Sequence, residues 1–297
     1  MNDRLQVTHA PDEVVVSVDG TDLVRYVYRP ETAPAESPKP YIHPLRTLAG
    51  DVVSVYRPHD HRWHRGLQMT ASHLSGENFW GGGTYVHREG GYVQLDNNGS
   101  VLHESFDRLD AAGGRLDLVE RLAWISSGGE RWLDELREIT VHRVDPAAGS
   151  WELGWTTTLT GRRGEPLRFG SPTTHGRPMA GYSGLFWRGP RSFTGGQVLG
   201  PGDRGGEAMM GTRAAWLAFV GLHDEVDRAS TLVFTGPADH HWFVRSGEFA
   251  AVNPSWAFHR EFELAPGETR TWRYRVVVAT GAWDRDAVEG YLKEHPW

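Results

Sequence analysis

The sequence predicts an all-β protein, a large antiparallel β-sandwich with a short C-terminal helix. Three features predict it. Short runs of β-branched and aromatic residues recur along the chain, turn-forming Gly, Pro, Asn and Asp pairs separate them, and no regular alternation of strand and helix patterns appears. The first element is a hairpin, in which 14–18 and 23–28 flank an Asp19-Gly20 turn. Residues 32–40, rich in Pro, Ala and Glu, are expected to form an irregular connection. Further turns are expected at Asn97-Asn98-Gly99, Gly113-Gly114, Gly128-Gly129, Asp145-Pro146, Arg163-Gly164 and Pro266-Gly267, with strands at 116–125, 136–144, 151–159, 216–221, 231–235 and 271–278. At the C-terminus, residues 286–293 carry apolar positions at helical spacing.

The chain has 297 residues, 39% hydrophobic and 23% charged, the composition of a folded protein. A sandwich can extend over that length, and with no internal repeat and no break in composition a single domain over 1–297 is expected. No apolar run approaches the roughly 20 residues of a membrane span, and the N-terminus lacks a basic region followed by an apolar one, so a cytoplasmic protein without membrane partners is expected. The absence of cysteine excludes disulfides, thiolate metal sites and thiol nucleophiles. A formal charge of -7 argues against nucleic acid as a partner. Of 31 basic residues, all but Lys39 and Lys293 are arginine, so a lone arginine carries little information here. Most of the thirteen tryptophans should be core, with a minority free to serve as stacking platforms at a site.

Residues 41–91 hold six of the fifteen histidines, among them His59, His61 and His64 in the run His59-Asp60-His61-Arg62-Trp63-His64. Imidazoles titrate near neutrality and bind metals, so either proton transfer or ligation could reside there. An extended backbone would set His59 and His61 against His64, whereas a turn would let all three converge. Their spacing matches neither a helical H-E-x-x-H site nor a zinc finger, so no cofactor is expected, and a divalent metal on these three histidines stands as an alternative. A second cluster, residues 171–182, is a Gly- and Pro-rich loop carrying His175 and Arg177, with Arg188 and Arg191 beyond it. A third is the run His240-His241-Trp242-Phe243-Val244-Arg245, followed by Asn253, Trp256 and His259. Alternation puts His241, Phe243 and Arg245 on one face of that strand and His240, Trp242 and Val244 on the other. No G-x-S-x-G elbow or phosphate-binding P-loop occurs, which argues against serine hydrolase and nucleotide chemistry.

These motifs resemble those of the PmoA-like family of largely uncharacterised bacterial proteins. The resemblance lies in Tyr41-Ile42-His43-Pro44-Leu45-Arg46-Thr47, Asp60-His61, His64-Arg65-Gly66-Leu67, Asn78-Phe79-Trp80, and His175-Gly176-Arg177-Pro178 leading to Gly184-Leu185-Phe186-Trp187-Arg188, over about residues 38–280. A membrane monooxygenase subunit, which the family's name suggests, would need spanning helices that this sequence lacks. More distantly the order of parts is similar to galactose mutarotase-like proteins, which implies a β-supersandwich fold that acts on or binds sugars. Arg46, His61 or His64, and His175 fall in places comparable to that group's arginine and histidines. Its late glutamate base has no direct counterpart, since the comparable stretch runs Trp242 to Ser246 with Glu248 nearby.

The function these resemblances imply is a carbohydrate-active enzyme performing acid/base chemistry on a sugar, as a lyase, hydrolase or epimerase. His61, His64 and His175 are the expected catalytic residues, with Arg46 and Arg177 as clamps for a carboxylate, keto or hydroxyl oxygen. His43, Asn78, Trp80, His87 and Glu89 are expected to complete the substrate site. A non-catalytic sugar-binding or sensing module on the same fold is the alternative from a different class.

Overall fold

The computed structural model describes residues 5–297. The first hairpin forms where the Asp-Gly pair places it. Glu13–Val18 pairs with Thr21–Val27, and Asp19 and Gly20 take φ values of 48° and 83°, the paired positive values of a two-residue hairpin turn. Val14, Val16 and Val18 are buried while the residues between them are less so, as strand alternation requires.

Two eight-stranded sheets dominate. The first runs in the spatial order Leu5–His9, Glu13–Val18, Thr21–Val27, Tyr41–Leu45, Leu67–Thr70, Gly184–Arg188, Ala251–Ser255, His241–Arg245. The second runs Gln197–Leu199, Trp216–Leu222, Ala229–Thr235, Thr269–Thr280, Ser150–Gly161, Arg131–Asp145, Arg115–Ile125, Ser100–Ala112. The strand pairings within both sheets are antiparallel. The strands expected from the sequence are all present and most extend a few residues further into their turns, while the one expected to reach Tyr28 ends at Val27. A helix at Arg285–Glu294 is capped by Asp284, whose side chain accepts from the Ala287 N–H. No helix among the described residues is long and apolar enough to cross a membrane.

The core lies between the two sheets. Tyr26 meets Trp155 edge-on at 6.5 Å, and Trp187 packs between Phe219 at 5.3 Å and Phe234 at 5.5 Å. Trp124, Trp151, Trp155 and Trp187 are completely enclosed, each contributing an aromatic area worth more than the roughly 1.5–3 kcal/mol of a buried aliphatic side chain. One group of buried polar side chains between the sheets is closely paired. Arg137 binds both oxygens of Glu135 at 2.8 Å and donates to the Tyr26 hydroxyl at 2.9 Å, and Tyr26 in turn donates to Glu120. The connection at 32–40 is more than an irregular surface loop. It contains the short 3₁₀ turn Pro34–Glu36 and buries Glu36, Ser37 and Lys39.

This interior makes the fold sensitive to acid. Burial pushes His43, His73 and His240 down to about 4, whereas unfolded histidine titrates near 6.5. Between those values the unfolded chain binds protons that the folded chain refuses, so their contribution is complete above about pH 6.5 and is lost as pH falls toward 4. At about 1.4 kcal/mol per pKa unit, each would lose up to about 3 kcal/mol over that range, of the order of 10 kcal/mol together. Urea unfolding at pH 7.5, 5.5 and 4.5 is expected to give a steadily falling midpoint, and a constant midpoint would contradict this account.

Candidate functional site

Strand alternation splits the residues of the first sheet between the core and an outer face. Trp187 turns toward the second sheet, so its neighbour Phe186 faces away from it, and Phe243 and Arg245 share that outer side. Over this face lies a cleft of about 310 Å³. His61, Trp63, His64 and Trp80 form one wall, Tyr92, Arg177 and Tyr182 another, and Glu248 and Phe249 come from the turn that follows Arg245.

The histidine run adopts a turn. The Arg57 N–H donates to the His64 carbonyl at 2.8 Å and the His64 N–H to the His61 carbonyl at 2.9 Å. His61 and His64 therefore stack nearly parallel, 4.7 Å apart with 10° between planes. His59 leaves this pair, and its Nδ1 accepts from Arg191 at 3.0 Å. The three rings do not form a ligand set, and no group of three or more His, Asp or Glu among the described residues is arranged to hold a metal.

The two stacked histidines have different capacities. The Nδ1 of His64 lies 3.0 Å from a guanidinium nitrogen of Arg188. Arginine only donates, so Nδ1 accepts and the single proton of neutral His64 sits on Nε2. Burial, reinforced by His61, Arg188 and Lys39, holds His64 far below the usual histidine range. It is thus a neutral donor at ordinary pH, poorly suited to exchange protons. His61 has the opposite arrangement. Its Nδ1 lies 2.9 Å from Asp60 Oδ2, which as a carboxylate only accepts, so Nδ1 carries the proton and Nε2 keeps its lone pair. Burial would raise Asp60, but hydrogen bonds from His61, its own backbone N–H and Arg188 outweigh that and keep it strongly acidic. Arg188 at 3.2 Å and Arg191 at 2.9 Å anchor the same carboxylate. Burial lowers His61 below its ordinary value despite the opposing pull of Asp60.

Trp80 is held by its own loop. Asn78 Oδ1 accepts from the N–H groups of Trp80 and Gly81, both at 2.9 Å, and its amide donates to the Gly82 carbonyl and the Thr84 hydroxyl, both at 3.1 Å. The buried amino group of Lys39 donates to the Trp80 carbonyl at 3.1 Å. Gly81 has φ +107°, and a Cβ there would lie 2.5 Å from Trp63 Cβ and 2.6 Å from the Glu36 carbonyl oxygen, so only glycine lets the loop pass. The Trp80 ring then packs on Tyr182 at 4.3 Å and Phe186 at 4.6 Å.

Of the residues expected from the sequence, His61, His64, Trp80 and Arg177 line this cleft. His175 does not. The turn at 171–176 carries it to the far side of the loop, where it stacks on His73 at 4.2 Å and approaches Glu261 at 3.3 Å, while Arg177 emerges on the cleft side. His43 and Arg46 line a separate hollow, His43 against Ser54 at 2.9 Å and over the ring of Tyr56, Arg46 toward the Asp22 carbonyl at 3.3 Å. Asn78 is internal to the Trp80 loop and does not line the cleft. His87 is exposed beside Gly176, and Glu89 is exposed and pairs with Arg88 at 3.2 Å. Phe243 and Arg245 meet the cleft together, as alternation expects, but His241, expected beside them, lies in another hollow with His259. Tyr92 and Phe249 carry no motif that marks them, whereas Trp63 belongs to the histidine run and Tyr182 ends the 171–182 cluster without a role being expected of either. The closeness of Glu248 and Phe249 to Arg245 is a further signal in the sequence.

Residues 13–293 match the family described as Family of unknown function (DUF6807). The PmoA-like resemblance of the motifs is not what this match names. No curated protein matches the sequence. Among solved structures, the alpha-galactosidase from Lactobacillus brevis aligns with 96% of this chain and 40% of its own, at 10% identity and a TM-score of 0.42. A GH36 alpha-galactosidase from Geobacillus stearothermophilus in complex with raffinose aligns with 95% of this chain and 41% of its own, at 12% identity and a TM-score of 0.40. The chain spans about two fifths of either protein's length.

Proposed function

We propose, for a chain that belongs to the DUF6807 family of unknown function, that the cleft on the outer face of the first sheet binds a carbohydrate and that His61 exchanges a proton with it. The observation that carries this reading is the Asp60–His61 pair at the cleft wall, with Nδ1 committed to the carboxylate at 2.9 Å. Nε2 is left as a base toward a bound ligand. Protonation of Nε2 would create an imidazolium next to a fixed carboxylate, the arrangement that stabilises such a charge. The removal of a sugar C–H or O–H proton, or the activation of a water, lies within its reach. His64, fixed in its neutral form, supports the ring of His61 by stacking. It is not a second proton carrier in this account, and His175 lies too far round the loop to take part.

The aromatic content of the cleft supports a sugar as ligand. Trp63, Trp80, Phe243 and Phe249 offer apolar surface to sugar C–H groups, while His61, Arg177, Arg245 and Glu248 supply hydrogen bonds at the edge. Calorimetric titration of the protein with neutral and oxidised monosaccharides and disaccharides, followed by NMR product analysis in D₂O, tests both halves. Saturable binding with deuterium uptake or product formation is expected for at least one sugar. Binding without any turnover would reduce the protein to a sugar-binding module. No binding across the panel would overturn the reading.

A further inference from the structure

The mouth of the cleft carries more positive than negative charge, and the chain neutralises it only in part. Arg177 donates to the Tyr92 hydroxyl and lies 5.0 Å above that ring. Tyr92 in turn lies 2.7 Å from the hydroxyl of buried Tyr182. This relay fixes the guanidinium in place, yet no carboxylate pairs with Arg177 among the described residues. Arg245 reaches the same mouth from the end of the strand His241–Arg245. It donates to the carbonyl of Met179, two residues beyond Arg177, at 3.4 Å, and lies over Phe243 at 5.4 Å. Its nearest carboxylate, Glu207 at 3.9 Å, is outside the cleft lining and is occupied by the backbone N–H groups of Ser246 and Gly247 at 3.0 Å each. Deeper in, Asp60 is already matched by Arg188 and Arg191. Glu248 is the one carboxylate lining the cleft among the described residues.

From this balance we infer that the ligand is an acidic sugar, one whose carboxylate is held between Arg177 and Arg245. The inference rests on the sugar reading of the cleft. Two guanidiniums held at one opening repel each other, and an anion between them relieves that repulsion where a hydroxyl group does not. With Glu207 counted against Arg245 and Asp60 against Arg188 and Arg191, four guanidiniums face three carboxylates and leave one net positive charge, which suits a monoanionic carboxylate better than a phosphate dianion. The aromatic faces of Trp80 and Phe243 leave the rest of the ring an apolar bed, so the acid group is directed to the mouth and the ring toward His61.

Calorimetry with matched pairs tests this: glucose against glucuronate, galactose against galacturonate, mannose against mannuronate, with glucose 6-phosphate as the dianion. At least one uronate is expected to bind about tenfold or more tightly than its parent hexose, the scale of one charge-assisted contact. In Arg177→Met and in Arg245→Met that ratio should fall to about threefold or less, the uronate losing more affinity than its parent hexose, and in the wild type it should weaken with salt. A hexose that binds as tightly as its uronate, or a phosphate that binds more tightly than both, overturns the acidic-sugar inference and leaves the sugar reading standing. Failure of every hexose and uronate to bind overturns the sugar reading itself.

Discussion

Replacing His61 with alanine is expected to lower turnover by about 10²- to 10⁴-fold, the usual contribution of a positioned acid or base, while sugar affinity changes only a few-fold. The separation follows from the geometry. Trp80 and Phe243 provide the bed on which a ring would lie, and neither depends on the His61 side chain for its position. Asp60→Asn should also cut turnover, because an amide can donate as well as accept and no longer dictates that His61 Nδ1 keeps its proton. In the wild type the rate should fall on the acid side of a pKa that lies below the ordinary histidine value of about 6.5, since burial lowers His61. The free base is the active form here, so activity is held above that pKa and lost beneath it. Turnover unchanged in His61→Ala, with binding retained, would remove His61 from the chemistry.

The second large effect concerns stability. Arg137→Met is expected to destabilise the fold by about 3–5 kcal/mol, because it strands buried charge. Arg137 and Glu135 are both completely enclosed and share two contacts of 2.8 Å. Without the guanidinium, Glu135 keeps only Trp124 at 2.8 Å and Thr157 at 3.1 Å, both neutral donors. Glu120, also enclosed, keeps Tyr26 and His103 but loses the cation that Tyr26 joins to it. Burial of an unpaired carboxylate costs more than the pair contributes, so the double variant Glu135→Gln with Arg137→Met should recover part of the loss. Urea unfolding of the single and double variants measures both quantities. A loss below about 1 kcal/mol in the single variant would show that the carboxylates find other relief.

The fold was far more legible in the sequence than the site. Local chemistry marks a hairpin, a turn or a cap: Asp19-Gly20, Gly113-Gly114 and Pro266-Gly267 each fall between strands, and Asp284 caps the helix that follows it. A site depends on which side of a loop faces which neighbour, and that is decided by contacts far apart in sequence. His175 and Arg177 are two residues apart on one loop, yet the first turns to His73 and Glu261 and the second to Tyr92. His43 shares a motif with Arg46, but its strand presents it to the hollow above Tyr56, away from the cleft. Tyr92 and Tyr182 meet across ninety residues with no pattern in either segment that marks the pairing. His61 and His64 were legible as neighbours, whereas their opposite proton arrangements depend on Asp60 and on the distant Arg188.

The central claim, that the outer face of the first sheet carries a sugar site served by His61, is tested most directly by a crystal structure of the protein soaked with the tightest-binding sugar of the panel. The account predicts a ring packed on Trp80 and Phe243, with one of its oxygens or C–H groups within hydrogen-bonding reach of His61 Nε2. A sugar seated in the hollow of His73, His175 and Glu261, or beside His43 and Tyr56, with the cleft vacant, would contradict it.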